Sequence, residues 1–215
     1  MTPRVIVLTA PSGGGKTSIT KALLADRRDM GYSVSATTRK PRPGEADGIA
    51  YHFLSRDEFA RRRAAGAFIE WAEYAGEWYA TLKSEVEQVL ASGRHVVIDV
   101  EIQGAQQVAR RYPEPQSMGI FILPPSASAW ERRLVGRGTE SRAGLAKRLE
   151  QAVAEIKQCL DWRHIVINDE LPRAVAEISA IVDEDGAVTH RPPEGRVNQL
   201  VNELVVEADR LRRES

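Results

Sequence analysis

The sequence predicts an α/β fold: a parallel sheet covered by helices on both faces. Three observations carry that prediction. Short, unbroken apolar runs recur along the chain, each is followed by a segment with helical spacing, and a glycine-rich turn joins the first run to the first helix. Strands buried on both faces read as continuous apolar runs, and intervening helices keep successive strands parallel. At 215 residues the chain is long enough for one sizeable core, or one core carrying small inserts.

The elements follow in order. Arg4–Thr9 reads as a strand and Thr17–Ala25 as a helix with Ile19, Leu23 and Leu24 inward. From Tyr32 to Gly93 the rhythm breaks into polar segments rich in Arg, Gly, Glu and aromatics, some alternating, as in Phe68-Ile69-Glu70-Trp71-Ala72-Glu73. That predicts an inserted lobe of short antiparallel strands with a helix around Ser55–Ala65. The pairing of strand and helix resumes with His95–Val100 and Gln103–Arg111, Gly119–Leu123 and Ser126–Val135, and His164–Ile167 and Pro172–Val182. Between Arg132 and Ser141 two glycines flank Arg137, the pattern of a hinged segment. Cys159, beside Ile156 and Leu160 in a helical pattern, reads as a small packing residue. Turns at Asp183–Gly186 and Pro192–Gly195 lead to an amphipathic helix over Val197–Leu211, expected to dock on the body or on a second subunit.

Thirty basic and thirty acidic side chains balance, so bulk charge gives no argument for nucleic-acid or membrane-surface binding. A single cysteine excludes an intramolecular disulfide framework. The opening apolar run is too short for a signal peptide and no run approaches membrane-spanning length, so a cytoplasmic protein is expected.

The turn Ala10-Pro11-Ser12-Gly13-Gly14-Gly15-Lys16-Thr17 suits the phosphates of a nucleoside triphosphate. Glycines let successive backbone N–H groups converge on an anion, and the following helix adds its positive end. Lys16 would reach the β- and γ-phosphates and Thr17 would ligate Mg²⁺. A second run, Ser35 to Glu45, sets Arg39 and Arg42 three apart between hydroxyls and prolines, which suits a phosphate clamp or a solvated basic loop. Tyr51 and Tyr79 offer phenols to the same phosphate, or simply pack. Glu70 has the chemistry to accept paired hydrogen bonds from guanine, although an exposed strand glutamate is the simpler account of it alone. Asp99 ends an apolar strand, where it would hold Mg²⁺ through water or cap the next helix. Arg133, Arg137 and Arg148 are arginines that a closing lid would bring to a transferring phosphoryl group, and a charged helix face is the alternative.

Together these runs resemble the guanylate kinases, a nucleoside monophosphate kinase family among the P-loop NTPases. The likeness rests on Pro11-Ser12-Gly13-x-Gly15-Lys16-Thr17, on Ser33-Val34-Ser35-x-Thr37-Thr38-Arg39-x-Pro41-Arg42-x-Gly44-Glu45-x-Asp47-Gly48-x-x-Tyr51-x-Phe53, on Phe68-x-Glu70-Trp71-Ala72, on Asp99-x-x-x-Gln103-Gly104-Ala105 and on Gly136-Arg137-Gly138-Thr139. It covers about Arg4 to Val182. It implies transfer of the γ-phosphoryl group of MgATP to GMP, and to dGMP, giving ADP and GDP. A catalytically weak binding module of the same fold is the alternative.

The implied architecture is a kinase domain over residues 1–182, with a core of 1–31, 94–131 and 149–182, a GMP-binding lobe of 32–93 and a mobile lid of 132–148. A C-terminal extension, 183–215, follows it. By resemblance, Ser12, Gly13, Gly14, Gly15, Lys16, Thr17, Ser18 and Asn168 bind ATP. Ser35, Glu70 and Thr81 read guanine, Arg39, Arg42, Tyr51 and Tyr79 hold the GMP phosphate, and Asp99 and Glu101 face the acceptor. Lys16, Arg133, Arg137 and Arg148 are the expected catalytic residues. Three positions depart from the family pattern: Ala10 for the first loop glycine, Ala80 for a glycine, and Glu101 for an aspartate. If Ala80 has positive φ, strain of about 1 kcal/mol is expected there.

Overall fold

The computed structural model of the chain describes residues 2–74, 76–135, 142–193 and 195–213. Strand β1 (Val5–Thr9) is buried at every residue, as its apolar run requires, and the glycine turn leads into α1 (Lys16–Asp26). Then come β2 (Met30–Tyr32), β3 (Ala36–Thr37), β4 (His52–Phe53), α2 (Arg56–Ala64), β5 (Phe68–Tyr74), β6 (Glu77–Leu82) and α3 (Lys83–Ala91). The chain continues through β7 (His95–Asp99), α4 (Ile102–Arg111), β8 (Ser117–Leu123), α5 (Ala127–Val135) and α6 (Arg142–Lys157). A 3-10 turn (Gln158–Asp161), β9 (His164–Ile167), α7 (Leu171–Asp183) and α8 (Arg196–Arg213) complete it.

One sheet has five strands in the order β2-β7-β1-β8-β9, with β2–β7 and β8–β9 parallel. The expected α/β fold is therefore present. Strand β2, three residues long, was invisible to periodicity. By contacts the chain divides into two compact units: Met1–Val7 with Leu24–Met118, and Leu8–Leu23 with Gly119–Ser215.

The first unit contains the lobe sheet, ordered β4-β3-β6-β5. Its strands are not all antiparallel as expected: β3 pairs antiparallel with β6, but parallel with β4. The residues between β3 and β4 carry the clamp, and that loop returns the chain in its original direction. Helix α2 forms where anticipated, capped by the Ser55 hydroxyl, which accepts from the Glu58 N–H at 3.1 Å. It buries Phe59 against Phe68 and Trp78, with centroids 4.6 and 5.5 Å away. Ala80 lies in β6, opposite Ala36 and Trp71, and is buried. Among the described residues Asp185 is the non-glycine position with positive φ, so the strain expected at Ala80 does not arise.

In the second unit α8 packs on α6 and α5 with Val197, Leu200, Leu204, Ala208 and Leu211 inward. Arg210 pairs with Glu131 at 3.3 Å, Arg212 pairs with Glu150, and Glu203 accepts from the Ala127 N–H at 3.3 Å. The terminal helix thus docks on its own chain. Ahead of it, the segment after α7 meets β9, where the Ile165 N–H donates to the His190 carbonyl at 2.8 Å. Cys159 lies in the 3-10 helix that directly follows α6, in keeping with its helical pattern. It is fully buried, and burial pushes its thiol up to about 12. Helices α5 and α6 reach into the span expected as a lid, and residues 136–141, Arg137 included, lie outside the described residues.

Candidate active site

The phosphate-loop turn closes with the Gly14 N–H donating to the Pro11 carbonyl at 2.8 Å. Gly13 and Gly15 take φ of 86° and 99°, which a side chain would oppose. Gly14 is required for another reason. A Cβ there would lie 2.8 Å from the methyl of Ala10, which is itself fully buried. Ala10 therefore fits the loop because Gly14 makes room for it. Lys16 begins α1 half-buried, while Thr17 and Ser18 are exposed on its first turn.

Asn168 enters this loop from the end of β9. It is buried, and its side-chain amide donates to the Gly14 carbonyl at 3.0 Å. Arg133, on α5, donates through Nη2 to the Asn168 carbonyl at 2.9 Å, while its Nη1 is buried without a partner. A Cβ on Gly15 would sit 3.9 Å from that same Nη1. An unpartnered buried guanidinium nitrogen beside a glycine-rich loop at a helix N-terminus is a place for an anion. Arg148 lies half-buried on α6.

In the other unit Arg39 and Arg42 are brought together by Glu45. Its carboxylate receives Arg39 at 2.9 and 3.0 Å, and the backbone N–H of Arg42 at 2.8 Å. The hydrogen bond from Arg39 holds the Glu45 carboxyl below its ordinary range. The Arg39 guanidinium also stands 5.3 Å from the Tyr51 ring centroid and 5.8 Å from that of Phe53. Tyr51 and Tyr79 meet edge to face at 6.0 Å. Arg39 is thus oriented by a bidentate carboxylate and aromatic faces, whereas the Arg42 side chain is exposed.

Glu70 is buried at 5% exposure, not on the exposed face of its strand. The Thr81 hydroxyl, opposite it in the hairpin, donates to its Oε1 at 2.7 Å. Helix α4 comes so close that a Cβ on Gly104 would fall 2.5 Å from Oε2. The paired hydrogen bonds between Gln107 and the Trp71 backbone, at 2.9 and 3.3 Å, clip that helix to β5. Ser35 is half-buried just before β3, and its carbonyl accepts from the His52 N–H at 2.9 Å.

Asp99 ends β7 half-buried, and Tyr32 donates to its Oδ1 at 2.6 Å. Burial first, then the Asp99 carboxylate, pushes the Tyr32 phenol far above its ordinary range, so it stays a donor. The capping alternative for Asp99 fails, since Glu101 is the residue that precedes α4, with its carbonyl accepting from the Ala105 N–H at 2.9 Å.

Sequence reasoning missed Tyr32, Trp130 and the role of Glu45. Trp130 is fully buried, and its indole N–H donates to the Ser12 carbonyl at 2.7 Å. A tryptophan at helical spacing carries no local sign that its one polar atom points at a loop.

The family model described as guanylate kinase matches residues 2–185. A curated protein of Symbiobacterium thermophilum named guanylate kinase is 45% identical over 87% of this chain and 88% of its own length. One from Desulfitobacterium hafniense with the same name is 42% identical over 88% and 94%. A solved structure of guanylate kinase from Anaplasma phagocytophilum is 27% identical, covers 94% of both chains and superposes with a TM-score of 0.71. The motifs carrying the resemblance lie within the matched span, and the chain belongs to the guanylate kinase family.

Proposed function

We propose that this chain transfers the γ-phosphoryl group of MgATP to GMP, and to dGMP, giving ADP and GDP. One observation carries the acceptor's identity: the buried Glu70 carboxylate, already held by Thr81. Guanine presents N1–H and an exocyclic amine side by side, and a carboxylate accepts both. Adenine offers an acceptor at N1, which would leave Glu70 facing a lone pair in a buried site. Ser35 adds a hydroxyl to the base-reading set.

Arg39 and Arg42, with the phenols of Tyr51 and Tyr79, hold the GMP phosphate. Arg39 loses little entropy on binding because Glu45 already fixes its plane. On the donor side, loop N–H groups other than that of Gly14, which is bonded to the Pro11 carbonyl, take the ATP phosphates with the Lys16 ammonium. Arg133 directs Nη1 to the same charge, and Arg148 and Arg137 add positive charge around the transferring group. Asn168 acts here by holding the loop more than by touching adenine, since its amide is engaged with Gly14. A GMP phosphate oxygen, already ionised, attacks in line, so no protein nucleophile is needed.

Mg²⁺ enters with ATP as part of the substrate. Thr17 would offer such an ion a hard oxygen ligand, and Asp99, its carboxylate fixed by Tyr32, would act on it through water, while Glu101 would line the acceptor side. No helix among the described residues is long and apolar enough to cross a membrane. The substrates, held inside cells, suit a cytoplasmic enzyme.

The test is a coupled ADP-release assay with GMP, dGMP, AMP, CMP and UMP. Turnover with the guanine nucleotides alone is expected. GMP binding without turnover would overturn the enzyme reading in favour of a binding module.

A further inference from the structure

We propose that Trp130 is a positioning residue of the donor site. Its indole N–H, bonded to the Ser12 carbonyl, aims the Gly13 N–H at the ATP phosphates. The inference rests on the donor-site reading given above. Within one trans peptide unit the C=O and the following N–H point in opposite directions. Holding the Ser12 carbonyl toward α5 therefore turns the Gly13 N–H away from α5, and holding the Gly14 carbonyl toward Asn168 turns the Gly15 N–H away from that side chain. These two carbonyls receive side-chain donors, Trp130 Nε1 at 2.7 Å and Asn168 Nδ2 at 3.0 Å. Gly13 and Gly15, which follow, have positive φ, and glycine's backbone restrains the orientation of a flanking peptide plane least.

Close packing limits any alternative. A Cβ on Gly13 would lie 2.7 Å from both the Trp130 nitrogen and Leu134 Cδ2, so α5 lies directly against the loop. Trp130 is fully buried, leaving its N–H no water as a substitute partner. Arg133 lies one helical turn beyond Trp130, and its Nη2 reaches the Asn168 carbonyl at 2.9 Å. One helix thus both shapes the anion-binding loop and brings the guanidinium that faces it.

In the full-length protein Trp130→Phe keeps a large ring and removes the donor. It is expected to raise KM for ATP about 3- to 10-fold, the range one net hydrogen bond covers. KM for GMP is expected to stay within about 2-fold. Equal shifts for both substrates, or none for ATP, would overturn the proposal. Should that variant fail to fold, the wild-type chain still decides it. The assigned Trp130 indole N–H resonance is expected to resist solvent exchange and to shift on titration with a nonhydrolysable ATP analogue, but not with GMP. A freely exchanging or indifferent resonance overturns the proposal. Lys16→Ala separates the two readings. If it abolishes transfer while Trp130→Phe changes nothing, this inference alone fails; if it leaves ATP affinity and turnover intact, the donor-site reading fails and takes this inference with it.

Discussion

Glu70→Gln tests the base-reading site most directly, because it changes hydrogen-bond polarity while preserving shape. The carboxylate has sites for about four hydrogen bonds. Thr81 supplies one at 2.7 Å, and an amide oxygen can still accept it, so the fold should survive. What is lost is the second acceptor for guanine. The amide NH₂ then faces a guanine N–H in a site that is 5% exposed, where water cannot compensate. Hydrogen bonds to a charged acceptor contribute about 1.5–3 kcal/mol each, and an unpaired buried donor costs about 1–3 kcal/mol. Loss of about 3–5 kcal/mol corresponds to a fall in kcat/KM for GMP of about 10²- to 10⁴-fold. The ADP-release assay, varying GMP at saturating ATP and then the reverse, would place that loss on GMP with KM for ATP within about 2-fold. Glutamine also complements the N1 acceptor and N6 donor of adenine, so the ratio of GMP to AMP turnover should narrow. Equal increases in both KM values, or an undiminished preference for GMP over AMP, would refute the reasoning.

Other perturbations follow from the same geometry. Leu204→Ala, at a fully buried site between α8 and its neighbours, should destabilise the chain by about 2–5 kcal/mol in chemical denaturation. Ala80→Gly should lower stability by about 0.5–1 kcal/mol, since Ala80 lies in an unstrained strand; a stabilised variant would contradict that assignment. The Asp29 carboxyl is lowered to about 2 from an ordinary 3.8, chiefly by its hydrogen bond from Arg27. Its stabilisation is therefore complete above the unfolded-state value and is lost as pH falls through the folded one. Urea titrations should show wild type more stable than Asp29→Asn near neutrality, with the gap closing between pH 3.8 and about 2.

Much of the fold is legible because its signals are local. An apolar run such as Val5-Ile6-Val7-Leu8 marks a strand buried on both faces, and Ser55 with Glu58 marks a helix start within four residues. Strand β2 escapes notice because three residues hold no period, and α3 because its apolar pattern sits inside a polar, irregular insert. The parallel pairing of β3 with β4 depends on how the clamp loop turns, which residue types alone leave open. Among site residues, the glycine turn, Lys16, Arg39, Arg42 and Glu70 stand out in the chain itself. Their partners do not.

The alternation of most strands with helices, the donor-loop motif and Glu70 as a candidate guanine reader are legible in the sequence alone, through periodicity and motif chemistry between near neighbours. Ser35 and Thr81 enter only with the family resemblance. Tertiary structure decided how those residues are held. Burial of Glu70 follows from α4 approaching at Gly104, and the unstrained Ala80 from pairing across the hairpin. The loop's carbonyls are bonded by Asn168 and Trp130, 154 and 118 residues away along the chain. Hydrogen bonds over such separations leave no periodic trace. They exist only once packing has excluded water and left each buried donor a single acceptor within reach.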